Sequence, residues 1–270
     1  MHVFSSRFCH SSILHLAAVT LVALALGSFT SCGKKSVEAQ ISEIDEAAVN
    51  GDMEKVGALL KDNPDLVFSK DTNGWTPLNW VTDSAITNIA KLTNVAKLLL
   101  ANKAEINSKD KDGETPLHEA VIFENKEMVK LLIAHGAEIN AKDDNGWTPL
   151  FYAARVDQKE IAELLLANKA EVIAKDKYGS TFLHFAATRG TNVLKLLLAN
   201  KSGINATNNS GWTALHCAAS SGNKDAAELL LANQADVNTK NKYGETPLKL
   251  AVAEGHKDVA DLLRKHGGQE

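Results

Sequence analysis

Three histidines, His118, His184 and His216, and a set of acids, Asp110, Asp112, Asp143 and Asp144, are the groups in this chain whose type and recurrence could support chemistry. Histidine with carboxylate makes general acid–base pairs or a divalent-cation site. Either role requires the groups to converge on one point. The acids alternate with Lys109, Lys111 and Lys142, the pattern of a solvated turn and not of a cation cage. Cys9, Cys32 and Cys217 are the only thiols; Cys217 lies in the apolar setting Leu215-His216-Cys217-Ala218-Ala219, where a thiol behaves as a small hydrophobe, and no disulfide is expected. No Gly-rich phosphate loop, CxxC pair, HExxH helix or nucleophile elbow occurs. We therefore expect no catalytic residue, no metal and no cofactor.

The elements that must carry these residues repeat. Gly74-Trp75-Thr76-Pro77-Leu78 returns as Gly113-Glu114-Thr115-Pro116-Leu117, Gly146-Trp147-Thr148-Pro149-Leu150, Gly179-Ser180-Thr181-Phe182-Leu183, Gly211-Trp212-Thr213-Ala214-Leu215 and Gly244-Glu245-Thr246-Pro247-Leu248, with Thr-to-Thr steps of 39, 33, 33, 32 and 33 residues. The glycine permits a positive φ, the threonine can cap a helix, and proline is tolerated at the first helical position. Each motif thus opens a helix. Small pairs such as Ala153-Ala154, Ala186-Ala187 and Ala218-Ala219 allow close helix approach, and aliphatic runs such as Leu131-Leu132-Ile133 and Leu164-Leu165-Leu166 mark a second helix. One helix pair cannot bury its apolar side alone, so the units must stack. Stacking would set successive histidines about 10 Å apart, which prevents them from sharing an ion.

This spacing, with Thr115-Pro116-Leu117-His118 complete and the other copies partial, resembles the ankyrin repeat. The resemblance implies an all-α solenoid of about seven helix-turn-helix units with β-turn tips: a capping repeat at 41–70, a repeat with a six-residue insertion at 71–109, repeats at 110–142, 143–175, 176–207 and 208–240, and a C-terminal repeat or cap at 241–270. It also implies that the histidines tie turn to helix by hydrogen bonds. Three departures stand out. Lys103, Lys169, Lys201 and Gln234, each after an Asn, replace the usual glycine behind the second helix; the unit at 176–207 is one residue short near Gly190-Thr191; and the insertion falls within residues 82–92.

Residues 1–32 contain no acid and one Arg, with an apolar run of 17 residues from Ile13 to Phe29. Phe29-Thr30-Ser31-Cys32 resembles a bacterial lipobox. This predicts a signal peptide at 1–32, lipid attachment at Cys32, a short tether at 33–40, and an exported, membrane-anchored lipoprotein facing the periplasm or the cell surface; ordinary secretion and an uncleaved anchor are the alternatives. The formal charge of −4 argues against nucleic acid, whose recognition needs a dense basic face.

With chemistry excluded, function is sought on the surface. The resemblance implies that the turn tips and first helices recognise a protein partner, and that the chain is a monomer. The candidate contact residues are Trp75, Trp147, Tyr178, Trp212 and Tyr243 at the tips and Ile122, Phe123, Arg155 and Arg189 on the first helices, since aromatic residues and Arg are frequent binding hot spots. Ile122 and Phe123 are expected to be exposed there unless something covers them, either a partner or helix packing shifted by one residue. The reading is a membrane-tethered, protein-binding scaffold; the alternatives are an accessory to an exported enzyme and a secreted effector that binds host proteins.

Overall fold

The computed structural model describes residues 35–82, 88–172, 174–200 and 203–270. The signal segment, Cys32, the core of the insertion at 83–87 and Lys201 lie outside these residues. The described chain is all helical and divides into two compact units, residues up to Ala137 and Glu138–Glu270.

The N-terminal unit holds α1 (Val37–Val49), α2 (Met53–Asp62), a 3₁₀ turn (Pro64–Phe68), α3 (Pro77–Trp80), α4 (Ile89–Ala101), α5 (Pro116–Ile122) and α6 (Lys126–Ala134). First helices α1, α3 and α5 pack in sequence as one layer, and second helices α2, α4 and α6 as another. The Ser36 hydroxyl accepts the Ala39 N–H and starts α1 at Val37, so residues 37–40 belong to the folded stack and not to the tether expected there.

The C-terminal unit repeats the plan: α7 (Pro149–Arg155), α8 (Lys159–Ala167), α9 (Phe182–Ala186), α10 (Asn192–Ala199), α11 (Ala214–Ser221), α12 (Lys224–Ala232), α13 (Pro247–Ala253) and α14 (Lys257–Lys265). Here α7, α9, α11 and α13 form the first-helix layer, while α8 packs on α10 and α12 on α14. The alanine pairs predicted to let helices approach are at most 1% exposed. Leu165, Leu197, Leu230 and Leu263, one from each second helix, are fully buried and supply the core between layers, each contributing roughly 1.5–3 kcal/mol.

The turn that precedes each first helix is built by its opening residue. Asp176 Oδ1 accepts the N–H groups of Tyr178 and Ser180, and Asn208 and Asn241 do the same in their turns. Acid or amide serves because only a carbonyl-type oxygen is needed. Gly211 closes its turn at φ +77°, and a Cβ there would sit 2.8 Å from the Lys242 backbone nitrogen of the next tip. Both conformation and crowding select glycine.

Behind the second helices, Lys103, Lys169 and Gln234 take φ of +67° to +69°, the left-handed conformation that glycine would adopt freely. The preceding Asn completes the cap: Asn102, Asn168, Asn200 and Asn233 donate Nδ2 to the carbonyls of Leu98, Leu164, Leu196 and Leu229 at 2.8–2.9 Å. Where glycine is retained, at Gly136 and Gly267, the preceding His135 and His266 make the same bond through Nδ1.

The shortened unit borrows its cap. Asp157, in the turn after α7, accepts the Val193 N–H on Oδ1 and the Asn192 side-chain N–H on Oδ2, both at 2.8 Å. In two of the full-length units an Asn immediately before the second helix does this locally, Asn125 for Met128 and Asn223 for Ala226. In the shortened unit Thr191 makes no side-chain cap, and the neighbouring repeat supplies one through Asp157.

Candidate functional site

His184 and His216 are structural ties between repeats. In His184 and His216, Nδ1 accepts the N–H of Thr181 or Thr213 at 3.1 Å, with the threonine hydroxyl at 2.9 Å. That leaves the ring proton on Nε2, which donates to the carbonyl of Trp212 at 2.8 Å and of Glu245 at 3.1 Å, one repeat further on. Burial holds both imidazoles below their ordinary pKa, against the pull of those carbonyl bonds. A neutral ring is what the geometry requires, because protonated Nδ1 could not accept. Asn79 imitates the arrangement in the N-terminal unit, its Oδ1 accepting from Thr76 N–H and hydroxyl.

Two of the tip tryptophans, Trp75 and Trp147, are tied in a related way. Trp75 donates Nε1–H to Asp110 Oδ2, and Trp147 to Asp176 Oδ2, both at 3.1 Å. Where Ser180 stands at the tryptophan place, the following turn opens with Asn208, whose amide donates to the Ser180 hydroxyl. Where Glu114 stands there, the next turn's Asp143 instead accepts the hydroxyl of its own repeat's Tyr152 at 2.9 Å.

Among the described residues, Asp110, Glu114 and Glu119 bring carboxylate oxygens within 4.8 Å of one another. Asp110 is committed to its turn, with Oδ1 accepting from Asp112 and Glu114 N–H and Oδ2 from Trp75. Burial raises its pKa before those bonds lower it. A cation would have to displace the bonds that form the turn. Cys217 is half-buried, and burial pushes its thiol up to about 12, which removes thiolate chemistry at neutral pH.

One acid has no such service. Asp45 on α1 is 4% exposed, and its Oδ1 has no hydrogen-bond partner. Burial, then the Asp71 carboxylate, push it up to about 8, with the nearby Trp80 indole acting the other way.

The surface candidates separate into distinct environments. Tyr178 and Tyr243 are exposed at 51% and 73%; Arg189 is exposed too, but α9 ends at Ala186, so it lies in the turn beyond the first helix and not on it as expected. Trp75, Trp147 and Trp212 are half-buried, with Trp75 edge-on to Trp80 and Trp212 tilted over His216. Ile122 and Phe123 are half-buried, which corrects the expectation of exposure: α5 ends at Ile122, and Phe123 caps it with its N–H on the Glu119 carbonyl, so both lie at the turn into α6.

Arg155 is half-buried at the end of α7, its guanidinium 5.4 Å from the Trp147 ring centre and 6.0 Å from that of Tyr152. Trp147 also meets Phe185 edge-on at 5.5 Å, and Phe151 tilts onto Phe182 at 4.2 Å. The structure thus joins Trp147 and Arg155 in one aromatic cluster and adds Tyr152, Phe151, Phe182 and Phe185, which motif reading missed. Their signal was the break at Phe151, where the pattern calls for His; without the ring nitrogen, the buried Thr148 hydroxyl has no partner.

The model of the family described as ankyrin repeats, three copies, matches residues 84–176 and 183–270. The chain belongs to the ankyrin repeat family. The helix-turn-helix stacks, the turn tips and the Thr–His ties of this ankyrin chain are therefore family architecture, and protein binding is the general role that accompanies it. A search of curated proteins gave no match.

Proposed function

We propose that this ankyrin chain is a non-enzymatic scaffold that holds a protein partner and is tethered to a bacterial membrane by a lipid on Cys32. One observation carries the binding half: the His, Asp, Asn and Thr side chains that could do chemistry are spent on capping helices and joining turns, whereas Tyr178, Arg189 and Tyr243 present exposed side chains. Partner recognition is the role open to such a surface. The Phe29-Thr30-Ser31-Cys32 sequence after the apolar run supports the tether. No helix among the described residues is long and apolar enough to cross a membrane.

The test is made in cells with the full chain. A photo-crosslinking residue placed at 178 or 189 should trap a defined protein, and one placed at exposed Lys195 on α10 should not. A labelled fatty acid should enter the wild type but not Cys32→Ala. Equal trapping from both faces would refute the binding surface; labelling of the Cys32→Ala protein would refute the tether.

A further inference from the structure

The binding face of the C-terminal unit has a charge character of its own. Its turns and first helices (142–155, 175–189, 208–221 and 240–254) hold eight Lys and Arg against five Asp and Glu, while the rest of that unit holds eight against eleven. Two of the five acids, Asp143 and Asp176, are buried and turned into their own loops. The exposed strip is therefore basic on a chain whose formal charge is −4. Backbone bonds order the strip: Lys177 N–H donates to Asn145, Asn209 N–H to Tyr178, and Lys242 N–H to Ser210 at 2.9–3.0 Å, so successive tips follow one another in fixed register. Lys177 lies 5.3 Å from the Tyr178 ring centre, and Lys242 is exposed beside the exposed Tyr243.

We infer that this strip docks an acidic, extended segment of the partner protein, with carboxylates against Lys177, Arg189 and Lys242 and apolar or aromatic groups against Tyr178 and Tyr243. This rests on the scaffold reading and specifies its partner's chemistry. The spacing favours a polypeptide over a phosphate polymer or a lipid surface. The two cationic tips are separated by the neutral tip Asn208-Asn209-Ser210, and Asp144 and Glu245 lie on the same strip, so an uninterrupted row of phosphates would meet a gap and two repulsive groups. A chain with intermittent carboxylates meets neither.

The experiment titrates the full chain with a fluorescein-labelled synthetic peptide of alternating Glu and Tyr and with its Gln–Tyr counterpart, read by anisotropy. The Glu–Tyr peptide should bind at least roughly tenfold tighter, and that preference should shrink as salt is raised. Lys177→Glu with Lys242→Glu should abolish the preference, while Lys195→Glu with Lys257→Glu, on second helices, should change it less than about twofold. Equal binding of the two peptides, equal loss from the second-helix pair, or tighter binding to phosphatidylglycerol vesicles or single-stranded DNA would overturn the inference. If crosslinking at 178 traps a partner and Lys177→Glu with Lys242→Glu leaves that complex intact, the scaffold reading stands and the acidic-segment inference falls.

Discussion

Acidification should loosen the C-terminal unit through His184 and His216. Each ring accepts on Nδ1 and donates on Nε2, an arrangement open only to neutral imidazole, and burial depresses both pKa values. In the unfolded chain the same rings protonate near pH 6.5. Below that value the unfolded state binds more protons than the folded one, so stability falls as pH falls, until the folded rings themselves titrate. Within that window each histidine contributes a slope of up to about 1.4 kcal/mol per pH unit, and the two together up to about 2.8. Urea unfolding followed by tryptophan fluorescence at pH 7.5, 6.5 and 5.5 measures it. The control is His184→Asn with His216→Asn, because Asn79 already makes the same capping bonds to Thr76 without titrating. The double variant should be less stable than wild type at pH 7.5, having lost two inter-repeat bonds, and should lose less stability on acidification. Parallel pH curves for the two proteins would refute the reasoning.

Other perturbations follow from single contacts. Asp157→Ala should cost about 1–2 kcal/mol by uncapping α10, measured by denaturation, and Asp157→Asn should retain most of that because its Oδ1 can still accept the Val193 N–H; equal losses would show that the cap is not the cause. Lys169→Gly should stabilise by up to about 1 kcal/mol, since φ of +67° is costly for lysine and the Asn168 cap is untouched. Trp147→Phe should cost about 1–2 kcal/mol in thermal unfolding by leaving Asp176 Oδ2 without its donor. Asp45→Asn should slow hydrogen exchange in α1 above neutral pH, because the carboxyl with a pKa near 8 loses folded-state preference as pH rises towards that value, and the difference should vanish below pH 4.

What could be read from the residues was local. Gly-x-Thr-Pro specifies a turn and a helix start within five positions. Ties between repeats were not legible, because their partners lie far apart along the chain: 28 residues from His184 to Trp212, 29 from Trp147 to Asp176 and 36 from Asp157 to Val193. The exposure of Phe123 was misjudged for a related reason. A seven-residue helix ends before Phe123, so helical periodicity no longer says which way that side chain faces.

The division of labour within each turn explains why the fold constrains the binding face so little. Tyr178 serves the architecture entirely through its backbone, with its N–H on Asp176 and its carbonyl taking the Asn209 N–H. Ser210 does the same between Asn208 and Lys242. Any residue able to take the turn conformation keeps those bonds, so the side chain there can change without cost to the stack. Asp176, Thr181 and His184 lack that freedom, because their side chains make the bonds. Positions such as 178 can therefore vary without cost to the stack, and on the proposed reading a charge reversal at the neighbouring Lys177 and Lys242 should alter partner choice while leaving the unfolding free energy within about 0.5 kcal/mol of wild type.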